Sequence, residues 1–221
     1  METKKLINET IAFVKKTLEG AEGGHDWFHI ERVYQNAKNI GTEEKADLLI
    51  ISLAALLHDI ADAKFYNGDE TIGPKMARDF LVSKNVSKAI IEHVVAIINH
   101  ISFKSSLEAT PEKEKFTSLE LQVVQDADRL DAIGAIGIAR TFNYGGFKNR
   151  TIYNPDILPN LEMTKEDYKK STAPSINHFY EKLLLLKDKM NTVSGKKLAV
   201  QRHQFMVAFL NQFYLEWNGK S

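Results

Sequence analysis

The 221-residue chain contains no cysteine. That excludes disulfides and thiolate-held zinc, and it is compatible with the cytoplasmic location expected here. Net charge is also missing, because Lys+Arg and Asp+Glu both number 29. A neutral balance argues against a general binder of nucleic acid or anionic membranes, so no nucleic-acid partner is expected. No stretch approaches the ~18 apolar residues of a membrane span. The opening METKKLINETIAFVKKTLEG lacks an uninterrupted apolar segment, so no secretory signal is expected. Period-two alternation strong enough for a sheet, internal repeats and low-complexity segments are absent as well.

What is present is helical periodicity along nearly the whole chain. Leu6, Ile7, Ile11, Val14 and Leu18 keep helix spacing before the break at GAEGG. A second helix over about 25–40 carries Ile30, Val33, Ala37 and Ile40 on one stripe, with Gly41 as the expected C-cap. Thr42 is the expected cap of a third helix running through LLIISLAALLHDIAD, which is apolar nearly all round and should be central. Further helices are predicted over 71–84, 87–102, 117–142 (broken near Gly134 or Gly137), 172–191 and 195–217. The reading is all-α: one domain over 1–221, with a core at about 25–142, a loop at 143–163 and an additional C-terminal helical pair within 164–221.

Seven histidines stand at 25, 29, 58, 93, 100, 178 and 203. HDWFH places His25 and His29 at i and i+4, but Asp26 is a methylene too short to serve as the glutamate of a zinc-peptidase helix. In HDIAD, His58 and Asp59 lie about 100° apart on a helix and Asp62 returns to their face. Imidazole plus carboxylate suits a divalent ion of intermediate hardness; a buried His–Asp hydrogen bond is the plainer alternative. The stretch VVQDADRLDAIGAIGIAR packs Asp126, Asp128 and Asp131 into two turns of an apolar helix. Like charges so close repel unless a cation or an arginine such as Arg129 compensates.

Taken in order, H-x-x-R-V (His29, Arg32, Val33), H-D (His58, Asp59) and D-A-D-R-L-D (126–131) resemble the HD-domain superfamily of metal-dependent phosphohydrolases. More narrowly, the chain is similar to bacterial HD proteins related to a nucleotide pyrophosphohydrolase, and FNYGGFKNR and HFYEKLLLLKDKMNT extend that similarity. The resemblance implies an HD-type helical bundle with His29, His58, Asp59 and Asp128 as metal ligands and Asp126 as the runner-up. It implies that Asp62, three positions after the HD aspartate, accepts or orients the proton of an attacking water. It further implies hydrolysis of a phosphate ester or anhydride, with a nucleoside triphosphate cleaved to pyrophosphate favoured. The implied cofactor is one divalent ion, Mn favoured, with Mg, Fe, Ni, Co or Zn open. The alternative is a nucleotide-binding regulatory module without turnover.

A small phosphate substrate needs cations around it. Arg32, one turn after His29, and Lys148 in the irregular stretch are the expected contacts, with Arg150 beside it. His93 and His100, seven residues apart, share a helix face and are expected at the rim of the site; a second metal or a merely structural role are the alternatives. Phe205, Phe209, Phe213 and Trp217 recur every fourth residue, as a core stripe or as the seam of a possible homodimer.

Overall fold

The computed structural model describes residues 2–21, 26–61, 69, 71–101, 116–162 and 171–220. Among the described residues all regular structure is helical and there is no strand, as the periodicity predicts. The chain forms two compact units, Met1–Asp128 and Arg129–Ser221.

The first unit holds α1 (Glu2–Thr17), α2 (Trp27–Glu44), α3 (Leu48–Leu57), α4 (Ile72–Ser83), α5 (Lys88–His100) and most of α6 (Leu119–Asp131). The run LLIISLAALL makes α3 central: every residue from Ile50 to Leu57 is buried, and α3 packs on α1, α2 and α5. Its start is fixed by Asp47, whose Oδ1 accepts from the Leu49 and Ile50 amides at 2.9 and 3.1 Å. Two expectations are corrected here. Gly41 does not end α2, which continues to Glu44 and closes at left-handed Lys45 (φ 59°). Gly41 is instead a packing residue, since a Cβ there would run into Ile51 Cδ1. Thr42 caps nothing; its hydroxyl donates to Lys38 O at 2.8 Å within α2.

The second unit holds the end of α6, α7 (Gly134–Phe147), α8 (Asn177–Glu181), a 3₁₀ helix (Leu183–Lys189) and α9 (Val193–Trp217). The break expected near Gly134 is real. Gly134 has φ +77°, and a Cβ there would crowd the Arg202 side chain at 3.0 Å. The loop expected at 143–163 is corrected at its start, because residues 143–147 form the last turns of α7. Gly145 serves close approach rather than a loop geometry, since a Cβ would collide with Ser175 Oγ. The predicted helix over 172–191 is also shorter than expected: Lys182 (φ −144°, ψ −55°) interrupts it between α8 and the 3₁₀ segment. Three of the four aromatics of the α9 stripe make ring contacts within this unit, although Phe205 and Trp217 stay more than half exposed. Phe209 packs on Phe142 and Phe179 at 5.9 Å, and Phe213 and Trp217 pack on Tyr153 at 5.8 and 5.0 Å.

Candidate metal centre

α2 starts where Asp26 Oδ1 accepts from the His29 amide at 3.0 Å, which puts His29 in the first helical turn and its imidazole inside the protein. α3 stops at His58, its C-cap. His58 Nδ1 lies 2.9 Å from Ala55 O, so Nδ1–H donates to that carbonyl and Nε2 is left with its lone pair outward. The two rings meet edge to face with centroids 5.3 Å apart. α6 brings Asp128 Oδ1 to 3.6 Å from His29 Nε2 and 3.9 Å from His58 Nε2. Asp59 Oδ2 stands 4.0 Å from His29 Nε2.

These spacings suit a single ion. Ligands about 2.1 Å from one metal lie roughly 3.0–4.2 Å from each other. The donor atoms of His29, His58 and Asp59 all fall within 4.8 Å of one another, and among the described residues this is the group of three such side chains that converges. Two neutral nitrogens and two carboxylates form a mixed set that suits divalent ions of intermediate hardness. The two carboxylates beside one imidazole repel until a cation compensates them. The imidazoles are 3% and 5% exposed, Asp59 is 20% and Asp128 is 40%, so the cluster opens to solvent on its carboxylate side.

Helix phase separates Asp126 from Asp128. Two residues apart, they point about 200° from each other, so they occupy nearly opposite faces of α6. Asp128 is the one turned to the imidazoles, and Asp126 is wholly buried. Asp131 is engaged elsewhere: its Oδ2 accepts from Arg140 Nη1, and its side chain has no exposed surface. Arg129 is not that partner in the observed pair; its Nη1 donates to Lys189 O. Asp62 and His25 lie outside the described residues.

The expected substrate contacts are spread more widely. Arg32 is half-buried on α2, one turn past His29. His93 Nε2 lies 3.0 Å from Ser118 Oγ and 3.5 Å from Glu120 Oε2. Glu120 precedes Asp128 by eight residues, about 12 Å along α6, so His93 stands at the far end of that helix from the imidazole pair. His100 is nearer: Gln125, three residues before Asp128, donates Nε2–H to the His100 carbonyl at 2.9 Å. Phe116 lies against both rings, at 5.8 and 5.4 Å. Lys148, at the end of α7 in the second unit, holds Nζ 4.9 Å from the Phe147 ring centroid and 5.7 Å from that of Tyr144.

Sequence spacing missed two contacts of these side chains. Asp26 is an N-cap directly before an apolar-periodic helix, a signal that was legible. Glu120, which also accepts from the Asp47 amide at 3.2 Å, depends on a tertiary contact and had none.

The HD domain family model matches residues 27–133, a span that contains His29, His58, Asp59 and Asp128. The chain is 38% identical to YpgQ of Bacillus subtilis, an uncharacterized protein, over 96% of this chain and 94% of that one. It is 44% identical to an HD-superfamily hydrolase from Bacillus thuringiensis whose crystal structure superposes with a TM-score of 0.77 over 98% of each chain. The crystal structure of Bacillus subtilis YpgQ in complex with ADP superposes with a TM-score of 0.75 at 36% identity, covering 98% of this chain and 97% of that one.

Proposed function

The chain belongs to the HD superfamily of hydrolases, and from that premise we propose that it is a metal-dependent phosphohydrolase of nucleotides, favouring release of pyrophosphate from a nucleoside triphosphate. The observation that carries the reading is the convergence of His29, His58, Asp59 and Asp128 with its opening on the carboxylate side. These four residues would hold one divalent ion, Mn favoured, with Mg, Fe, Ni, Co or Zn also suited to the donors. Such an ion supplies Lewis acidity, lowering the pKa of water and offsetting phosphate charge.

The remaining work falls to the chain. Asp62 follows Asp59 by three residues and is assigned the proton of the attacking water. Oxygen bonds to the α-phosphorus, the bond from that phosphorus to the bridging oxygen breaks, and pyrophosphate leaves with the electron pair. Arg32 offers a planar guanidinium to phosphate oxygens. His100, and beyond it His93, would meet more distant parts of an extended substrate, and Lys148 would pair with its negative charge. That YpgQ was crystallised with ADP supports a nucleotide as the substrate class.

The test is a panel of nucleoside tri-, di- and monophosphates with Mn²⁺, Mg²⁺, Co²⁺ and Zn²⁺, scored separately for pyrophosphate and phosphate. Metal-dependent pyrophosphate release supports the proposal, and phosphate alone reassigns the enzyme as a nucleotidase. Nucleotide binding with no turnover under any metal makes the chain a regulatory binding module.

A further inference from the structure

The converging side chains are aimed by different means. His29 stands in a helical turn fixed by the Asp26 cap, and the His58 ring is held by its Nδ1–H bond to Ala55 O. For Asp128 the observed neighbours of the carboxylate are the two imidazoles themselves, at 3.6 and 3.9 Å. Its aim therefore rests on the backbone that carries it. Asp128 opens the last turn of α6, where the final carbonyls have no partner within the helix. Backbone amides close this turn through contacts three residues apart: Ala132 N–H donates to Arg129 O at 3.1 Å and Ile133 N–H to Leu130 O at 3.3 Å. Two guanidinium groups complete it. Arg202 Nη1, from α9, donates to Leu130 O across 72 residues of sequence, and Arg140 Nη1 donates to Asp131 O at 3.3 Å. The approach of Arg202 is built into the chain. Gly134 leaves the space that its stem occupies, since a Cβ on Gly134 would stand 3.0 Å from Arg202 Cβ and Cγ.

We infer that Arg202 is a positioning residue for the metal centre: its bond to Leu130 O holds the last turn of α6 so that Asp128 faces His29 and His58. This rests on the metal reading proposed above. Leu130 and Arg202 both lie in the second unit, and α6 is the continuous helix that carries the restraint to Asp128, two residues before Leu130. The restraint acts through geometry, and charge alone predicts the opposite sign. A guanidinium beyond the helix end repels a cation, so removing it would tighten metal binding. Loss of positioning weakens metal binding, because the ligand whose aim depends on that turn is no longer held.

Competition of the Mn²⁺-loaded full chain against a graded chelator tests this, at a temperature where circular dichroism shows every variant folded. Arg202→Met should weaken Mn²⁺ binding by about 10-fold, the lower end of the effect of losing a group that orients a ligand. Arg202→Lys keeps a charged donor on a long stem and should recover most of the affinity. In an Asp128→Asn background, Arg202→Met should add little further loss, because the two changes act on one ligand. Arg202→Gln, neutral and too short for Leu130 O, takes the place of Arg202→Met if the methionine variant does not fold. Visible absorbance of the Co²⁺-loaded chain gives a second readout: Arg202→Met should move the bands toward those of Asp128→Asn. A role in stability alone would lower the melting temperature and leave affinity and spectrum unchanged, which overturns the inference. Tighter Mn²⁺ binding in Arg202→Met, or a fully additive loss in the Asp128→Asn background, also overturns it while leaving the metal reading intact. A wild type that takes up neither Mn²⁺ nor Co²⁺ overturns the metal reading and this inference with it.

Discussion

Replacing Asp131 by alanine isolates the polar cluster at the end of α6. The Asp131 side chain is fully buried, and Arg140 Nη1 donates both to its Oδ2 and, at 3.3 Å, to its carbonyl. Arg202 Nη1 donates to the neighbouring Leu130 carbonyl. Burial pulls the Arg202 pKa down, and the Asp131 charge pushes it back up. Without the carboxylate two guanidinium groups share a site that has lost its counter-charge. Removing one partner of a buried ion pair costs about 3–5 kcal/mol. Arg140 keeps 28% of its side chain exposed, so water recovers part of that and the lower end, about 3 kcal/mol, is expected. For a chain of this size that corresponds to a melting point lower by roughly 6–12 °C. Urea unfolding followed by far-UV circular dichroism and by tryptophan emission would measure it. The two tryptophans, Trp27 and Trp217, fall in different compact units, so coincident transitions also check that one free energy describes the change. Adding Arg140→Met should recover part of the loss, because the guanidinium that donated to the missing carboxylate is then gone while Arg202 keeps its bond to the Leu130 carbonyl. A loss below about 1 kcal/mol in Asp131→Ala, or no recovery in the double variant, refutes the reasoning.

The metal assignment predicts that His58→Ala and Asp59→Ala lose bound metal in elemental analysis and that Asp128→Asn loses more than Asp126→Asn; full occupancy in the first two would sink it. Asp62→Asn should keep its metal and lose turnover by about 100-fold or more, and wild-type rates in the metal-replete variant would remove Asp62 from the chemistry. Burial, reinforced by the charges of Lys182 and Arg150, pushes the His178 pKa down from 6.5 to about 3. Between those values the unfolded chain takes up a proton that the folded chain refuses, so stability falls as pH drops, by up to about 1.4 kcal/mol per pH unit. His178→Gln should therefore be less acid-sensitive in that window and match the wild type's pH slope above it, as urea midpoints across pH would report. Lys148→Ala should raise KM for nucleoside triphosphates while leaving metal content and melting temperature unchanged; unaltered kinetics would confine Lys148 to its contacts with Phe147 and Tyr144.

Local pattern made most of the helices legible. The stripe Ile30, Val33, Ala37, Ile40 is buried as its spacing requires, and the all-apolar α3 is the core of its unit. Two of the misreadings share one cause. Gly41 looks like a helix terminator because glycine tolerates left-handed geometry, yet its missing side chain serves Ile51 on the next helix. Gly145 looks like part of a loop, yet it admits Ser175. Glycine states a need for space or for freedom, and the sequence alone does not say which. The acidic run of α6 behaves the same way. Three aspartates within six residues are visible at once, but Asp131 is answered by Arg140 on another helix, outside any i±4 relation that spacing could reveal.

The ends of helices show how these side chains would favour a cation if they hold one as proposed. His58 caps the C-terminus of α3, Asp59 follows it, and Asp128 lies in the last turn of α6. At both ends the final carbonyls carry the negative pole of the helix, which favours positive charge by up to about 1 kcal/mol each when exposed and more when partly buried. α2 contributes its opposite end, where the orphan amides would repel a cation. There Asp26 accepts from the His29 amide and sets a negative charge against that pole, so His29 can present its imidazole from a helix start without bringing net positive character with it. The arrangement therefore depends on Asp26 as a capping group as well as on the four converging side chains. Asp128 suits it where Asp126 does not: at the same helix end, only one of the two phases points toward His29 and His58.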